Sequence, residues 1–176
     1  MGYRQMNDSA MAESYFSFYI DEGIFSVPVK YVKEVFDYET ITPIPNALPY
    51  LKGVMNVRGS VVSIIDFRIL FGFKKETSLE GTQVIILEVA QKNDKPVQIG
   101  IVSDRVDIVS HLKIIQAESK DYGILEGQSH FVSAVARRGK NFILILNPEI
   151  ILQFIETDVD RDAAGKERML QNKSGK

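Results

Sequence analysis

The sequence contains no cysteine in its 176 residues. Disulfides, thiolate metal sites and cysteine nucleophiles are therefore excluded, and this composition fits the reducing environment of a cytoplasm. No covalent or metal crosslink is needed to hold such a chain together, because a domain of this length buries on the order of 70% of its unfolded surface.

Long apolar runs are missing as well. The longest, such as residues 142–146, have the length of a strand and fall far short of the roughly 18 residues that read as a membrane span. Residues 1–14 form a polar tail without the apolar core of a signal peptide. We therefore expect a cytoplasmic protein with no direct membrane insertion.

Combinations of residues that would form a catalytic site are also scarce. The two histidines, His111 and His130, have no metal-ligand spacing with another ligand type, and dinucleotide-binding, Walker and nucleophile-elbow motifs are absent. Asp104 and Asp107 are three positions apart, so on a strand they point to opposite faces. The sequence therefore predicts no catalytic, metal or cofactor site, which favours a binding module over an enzyme.

The charge of the chain argues against nucleic acid as a partner. Acidic residues slightly outnumber basic ones, 23 to 21, and the basic turn at residues 137–140 lacks interleaved aromatic residues that could stack on bases. One alternative stays open, a ligand-binding or enzymatic β-barrel domain. It would require a convergent polar pocket, for example a deep cavity lined by His111 or His130 with acids nearby.

The chain is rich in short apolar segments of strand length. Residues 15–20 alternate strictly between Phe16, Phe18 and Ile20 on one side and less apolar residues on the other, as in a half-buried strand. Residues 82–89 are apolar on both faces, as in a central strand. Further strands are predicted at residues 24–27, 33–38, 97–103, 106–115 (bent near residues 110–111), 131–137 and 142–147.

The connections between these strands carry their own signals. Residues 21–23 are predicted to form a three-residue hairpin loop, and residues 29–32 one short helical turn. Three prolines within residues 42–49 predict an extended connector. Polar loops are predicted at residues 74–81 and 116–127. Asn147-Pro148-Glu149 has the pattern of a helix start, with a helix to about Ile155, and the charged residues 156–176 are predicted to be disordered or a solvated helix.

Residues 53–72 contain the densest set of structural signals in the chain. Two apolar runs flank Arg58-Gly59, and glycine supplies the positive φ that a two-residue hairpin requires. Asp66 is placed to cap a short helix over residues 67–71, and Gly72 to end it. Arg58 is a long cation at the tip of an apolar hairpin, and for an arbitrary hairpin it would be a solvated turn residue.

The motif L-K-G-V-M-N-V-R-G-S-V-V-S-I-I-D-F-R-I-L-F-G, residues 51–72, resembles the signature of the CheW-like domain of bacterial chemotaxis. The resemblance continues in the first hairpin and the V-x-E-V segment (16–35), in the I-x-x-x-P connector (41–45) and in residues 99–106, and it covers residues 15–155. Three positions depart from the family pattern: Ser63 replaces proline, Phe67 replaces leucine and Ser103 replaces valine. None of these changes removes a charge.

The resemblance implies an all-β fold of two packed five-stranded SH3-like barrels, with short helices and a C-terminal helix. Residues 15–155 would form the domain, between the polar tail 1–14 and a charged, flexible tail 156–176. It also implies a non-catalytic adaptor that links the cytoplasmic tips of methyl-accepting chemoreceptors to the regulatory domain of the histidine kinase CheA. A stand-alone adaptor is preferred to a piece of a kinase or a receiver-fused adaptor.

The resemblance also implies a set of binding residues. Glu34 and Arg58 match an acid and an arginine beside the receptor-binding groove of the family, Val32 and Val35 match flanking apolar positions, and Ile101 and Val102 match the contribution of the second barrel. Such a groove would hold a helical receptor tip, with exposed aliphatic side chains for affinity and an oriented charge for register. For Val32 and Val35, burial in the core is the alternative.

Overall fold

The computed structural model describes residues 13–38, 41–73, 80–92, 94–115 and 129–174, which contain eleven strands and two α-helices. The elements, in chain order, are β1 (Ser14–Ile20), β2 (Gly23–Pro28), β3 (Val32–Asp37), β4 (Leu51–Val57), β5 (Ser60–Asp66), α1 (Phe67–Leu70), β6 (Gln83–Gln91), β7 (Asp94–Ser103), β8 (Arg105–His111), β9 (Lys113–Ile115), β10 (Val132–Arg138), β11 (Asn141–Leu146) and α2 (Pro148–Ser174). Single 3-10 turns lie at Val29–Tyr31 and Ser129–Phe131.

The described strands form two sheets, and each sheet contains strands from both the first and the second half of the chain. Sheet 1 has the order β8-β1-β2-β11-β10-β9, and sheet 2 has the order β3-β6-β7-β5-β4. Neighbouring strands are antiparallel except for β2 with β11 and β5 with β7. The all-β prediction with a C-terminal helix is confirmed, with six and five strands in the two sheets.

The core consists of three clusters, and β6 shows how they are separated. Ile85 and Leu87 belong to the largest cluster, which lies between the sheets and includes the inner face of α2, whereas Val84 and Ile86 belong to a second cluster within sheet 2. A third cluster lies within sheet 1. A strand that is apolar on both faces therefore serves two cores at once, as the pattern of residues 82–89 predicted.

The first hairpin differs from the three-residue loop predicted for residues 21–23. Ile20 pairs with Gly23, so the loop contains two residues, and Asp21 adopts a positive φ of 55°. Gly23 belongs to β2, where a Cβ atom would lie 2.8 Å from the ring of Phe25. The glycine is thus explained by a close side-chain approach and not by the turn.

The hairpin predicted around Arg58-Gly59 is confirmed. Both residues have positive φ angles, 50° and 86°, as in the two-residue turn whose twist matches that of the strands. Asp66 caps α1 by accepting a hydrogen bond from the backbone N–H of Arg68 at 3.0 Å. At the other helix, the side chain of Asn147 likewise accepts hydrogen bonds from the N–H groups of Glu149 and Ile150.

The C-terminal segment is more regular than the charged composition of residues 156–176 indicated. Of the two states predicted for it, the helical one is observed: α2 continues to Ser174 and is not limited to the turns before Ile155. Tertiary contacts support the extension, because Tyr50 donates a hydrogen bond to Asp158 and Lys166 donates one to the carbonyl of Asn46.

The strand predicted at residues 106–115 is interrupted at Leu112 and forms β8 and β9. The tail 1–14 and the loops 74–81 and 116–127 lie wholly or mostly outside the described residues.

Candidate functional site

The two edges of sheet 2 approach each other because the sheet is strongly curled. β3 and β4 are its edge strands, yet Thr42, in the connector that follows β3, forms a two-bond bridge with Val54 of β4, at N···O distances of 2.9 and 2.8 Å. Gly53 permits this approach, since a Cβ atom there would lie 2.1 Å from the Thr42 carbonyl oxygen. Residues that are distant in strand order can therefore meet.

Glu34 and Arg58 form an ion pair across these two edges. The Nε atom of Arg58 donates a hydrogen bond to Oε1 of Glu34 at 2.5 Å, which joins β3 to the tip of the β4–β5 hairpin. The carboxylate is 22% exposed and the arginine side chain 77% exposed. The hydrogen bond and the charge of Glu34 raise the pKa of Arg58. The sequence-predicted acid and arginine are thus in direct contact at the surface.

The backbone holds the tip of this hairpin in a defined shape. Arg58 has a φ of 50°, a region that side chains other than glycine, asparagine and aspartate rarely adopt. The Asn56 side chain stabilises the turn by accepting a hydrogen bond from the N–H of Gly59 at 2.9 Å. The arginine is therefore presented by a constrained turn and held by Glu34, so its orientation does not depend on a flexible loop.

Val35 and Val32, the aliphatic residues predicted beside this pair, differ in their exposure. Val35 is 36% exposed on the edge strand β3, while Val32 is half-buried and packs against the core between the sheets. Val61, which the sequence did not single out, is 74% exposed on β5. It could have been inferred from strand alternation, because Val62 and Ile64 point into the core of sheet 2.

Ile101 and Val102 do not lie at the surface of this structure. They are 0% and 1% exposed, because β7 lies between β6 and β5 and is covered on both faces. Ile101 belongs to the core between the sheets and Val102 to the core of sheet 2. The resemblance assigned these two residues to the contribution of the second barrel. They lie instead in the same sheet as Glu34 and Arg58, and burial leaves almost none of their side-chain surface accessible.

Two surface cavities differ from the pocket that the alternative enzymatic hypothesis required. One of about 520 Å³ lies between the β6–β7 turn and the start of α2, and one of about 440 Å³ lies between the connector at residues 44–48 and α2. Neither is lined by His111 or His130. Among the described residues, no cluster of three or more histidine, aspartate or glutamate side chains could hold a metal ion. Neither described helix combines the length and apolarity needed to cross a bilayer.

The chain is thus a two-sheet β protein that presents an exposed Glu34–Arg58 ion pair on a constrained turn. Residues 14–156 match the family model of the CheW-like domain, and the chain belongs to this family.

Individual relatives agree with this assignment. The chain is 25% identical over 142 residues to the chemotaxis protein CheW of Klebsiella aerogenes, covering 81% of this chain and 82% of that one. It is 33% identical over 90 residues to CheW of Rhizobium meliloti, covering 51% and 55% of the two chains. The crystal structure of the scaffolding protein TtCheW from Thermoanaerobacter tengcongensis shares the fold, with a TM-score of 0.67 and 22% identity over 81% of this chain and 88% of that one.

Proposed function

We propose that this protein is a non-catalytic chemotaxis adaptor that couples methyl-accepting chemoreceptors to the histidine kinase CheA in signalling arrays. The family match and the names of the relatives, which include chemotaxis proteins and a scaffolding protein, support the adaptor role. The partners are the cytoplasmic tip of a receptor and the regulatory domain of the kinase, and other CheW-like domains are a further candidate. The protein would act in the cytoplasm and be recruited to membrane-associated arrays.

The observation that carries this proposal is the Glu34–Arg58 pair. Glu34 binds only one side of the guanidinium, at Nε, and the arginine side chain remains mostly exposed. Arginine carries five donor N–H groups in a planar fork, so it can bind a partner's carboxylate or carbonyl while Glu34 fixes its direction. An oriented charge of this kind sets the register of a docked partner more than its affinity.

The apolar part of the interaction would come from aliphatic side chains of sheet 2. Val35 is accessible on β3, where it points to the face opposite Glu34 because side chains alternate along a strand. A helix that binds Val35 would lay an apolar face against this outer face of sheet 2, next to the strand edge that carries Glu34. Val32, Ile101 and Val102 would act indirectly, by holding β3 and β7 in place beneath this surface. Substitutions of these buried residues would therefore affect folding before they affect docking.

The proposal is tested by reconstitution with receptor-containing membranes and the kinase. The kinase should sediment with the membranes and be activated only when this protein is present, because the adaptor supplies the link between them. Pull-downs with the receptor tip alone and with the kinase regulatory domain alone then separate the two contacts. Sedimentation of the kinase to the same extent without this protein, or binding to neither isolated partner, would contradict the adaptor function.

A further inference from the structure

The chain is built from two halves with the same connectivity. The first half consists of β1, β2, β3, β4, β5 and α1. The second half consists of β6, β7, β8, β10, β11 and α2, with the additional short strand β9 between β8 and β10. The orders β8-β1-β2-β11-β10 and β3-β6-β7-β5-β4 correspond strand by strand, with the parallel pair at the same place in each sheet. Each half thus contributes its first two strands to one sheet and its remaining strands to the other, and the second half adds β9 at the edge of sheet 1.

The correspondence extends to individual residues. Val57 and Ser60 close the hairpin of the first half, and Arg138 and Asn141 close that of the second. The helix caps Asp66 and Asn147 follow their hairpins after the same number of residues, and each accepts a hydrogen bond from the N–H two residues later at 3.0 Å. The edge strands β3 and β8 also both carry a register shift against their neighbours.

This arrangement makes the chain cross between the sheets at two equivalent points. One crossing is the 3-10 turn Val29–Tyr31, which leads from β2 of sheet 1 to β3 of sheet 2. The other is Asp104, between β7 of sheet 2 and β8 of sheet 1. The two crossings directly precede β3 and β8, so they determine where each of these edge strands begins in its sheet.

The second crossing is held by a partly buried network of ion pairs and hydrogen bonds. Arg68, the second residue after the cap of α1, is 5% exposed and binds both carboxylate oxygens of Asp66 at 3.0 Å. Its Nη1 atom donates to Asp104 at 3.3 Å. The other carboxylate oxygen of Asp104 accepts a hydrogen bond from the backbone N–H of Asp21 at 2.5 Å.

A hydrogen bond between Tyr31 and Glu149 holds the first crossing, at the position that corresponds to the Arg68–Asp104 pair. Glu149 is the second residue after the cap of α2, and its Oε1 atom accepts a hydrogen bond from the Tyr31 hydroxyl at 2.8 Å. Tyr31 is the last residue of the crossing turn and directly precedes β3, while its ring packs against the core between the sheets. A tyrosine–glutamate bond thus takes the place that the arginine–aspartate bond has in the other half.

We propose that Tyr31, through its bond to Glu149, is a positioning residue that fixes the entry of β3 and thereby the place of Glu34. Burial and the hydrogen bond to Glu149 raise the pKa of Tyr31 to about 12, as expected for a phenol that donates a hydrogen bond to a carboxylate. The effect on docking rests on the proposed receptor-binding function, whereas the effect on β3 does not.

The test compares amide hydrogen exchange in Tyr31→Phe, Glu149→Gln and the native protein. Loss of one hydrogen bond predicts that exchange in β3 becomes about two- to tenfold faster in Tyr31→Phe while the β4–β5 hairpin is unchanged. Glu149→Gln keeps an oxygen acceptor but loses its negative charge, so its exchange should lie between that of the native protein and that of Tyr31→Phe. Tyr50→Phe is the matched control, because it removes the other tyrosine bond to α2, that of Tyr50 to Asp158 at 2.8 Å, and should leave β3 unchanged.

Native exchange of β3 in Tyr31→Phe would overturn the proposal, and so would equal acceleration in Tyr50→Phe. Affinity for a receptor-tip fragment, measured on the same variants, should fall most in Tyr31→Phe and stay native in Tyr50→Phe. If β3 exchange accelerates as predicted but the native protein does not bind the fragment, the positioning role stands and the proposed function fails.

Discussion

At the scale of single residues, three positive φ angles lie close to the Glu34–Arg58 pair. Arg58 and Gly59 have positive φ angles at the hairpin tip, and Gly53 has a φ of 148° where β4 meets the connector. Arg58 accepts an unfavourable conformation that glycine would adopt without strain. A constrained arginine is consistent with a side chain whose direction matters more than the stability of its turn.

Replacement by alanine should lower the free energy of unfolding much more at Gly53 than at Gly59. At Gly53 the new Cβ atom would lie 2.1 Å from the Thr42 carbonyl oxygen, whereas at Gly59 no atom lies within 4 Å. We expect Gly59→Ala to cost about 1–2 kcal/mol of unfolding free energy from its positive φ alone, and Gly53→Ala more than about 3 kcal/mol. Urea unfolding of both variants measures the difference, and equal costs would show that the bridge to Thr42 is not rigid.

The raised pKa of Tyr31 predicts a specific loss of stability in alkali. The folded protein favours the neutral phenol, so this contribution is complete below pH 10 and is lost as the pH rises from 10 towards about 12. The unfolding free energy of the native protein should therefore fall more steeply in this range than that of Tyr31→Phe. Denaturant titrations at several pH values between 9 and 12 measure both slopes, and the same slope for both proteins would argue against this coupling.

Residue-level prediction from sequence succeeded where the signal was local. The turn at Arg58-Gly59 and the capping role of Asp66 follow from residue type and spacing alone, and both are observed. The burial of Ile101 and Val102 could not be predicted in this way. It depends on β7 being central in its sheet, which is a property of strand order.

At the scale of elements, α2 does more than close the core. Its first turns bury Ile151, Leu152 and Ile155 between the sheets. Its later part binds the connector through Tyr50–Asp158 and Lys166–Asn46. The composition of residues 156–176 left disorder or a solvated helix open, because the contacts that order this segment involve residues more than a hundred positions away.

Truncation after Glu156 tests this role of α2. The shortened protein should keep its β circular-dichroism spectrum, because the core residues of α2 are retained. Its melting temperature should fall by about 4–8 °C from the loss of two hydrogen bonds to the connector. Calorimetry provides the measurement, with Met169→Ser, a change at a side chain 70% exposed near the end of α2, as the control. An unchanged melting temperature would mean that the outer part of α2 contributes nothing to the fold.

At the scale of the whole molecule, the two sheets cannot form independently. Each is assembled from strands of both halves of the chain, so either half alone lacks the partners that its strands require. The sequence indicated strands and two small barrels but could not give this order, because strand pairing depends on long-range contacts that leave no local pattern.

Separate halves of the chain should therefore be unfolded when alone and fold when mixed. Fragments that end or begin within residues 74–79 would carry β1 to α1 and β6 to α2, respectively. Circular dichroism should show little sheet in either fragment and native-like sheet in an equimolar mixture, and size exclusion should show a one-to-one complex. A stable β fold of either isolated fragment would contradict the exchanged arrangement of the strands.

The central claim is that Arg58 is a docking cation held in place by Glu34, and the most direct test is the affinity for a chemoreceptor cytoplasmic-tip fragment. Isothermal titration should compare the native protein, Arg58→Ala and Arg137→Ala, an exposed arginine beside the turn of the other hairpin. We predict that Arg58→Ala melts within about 4 °C of the native protein but binds at least about tenfold more weakly, whereas Arg137→Ala binds normally. Native affinity in a folded Arg58→Ala protein would contradict the claim.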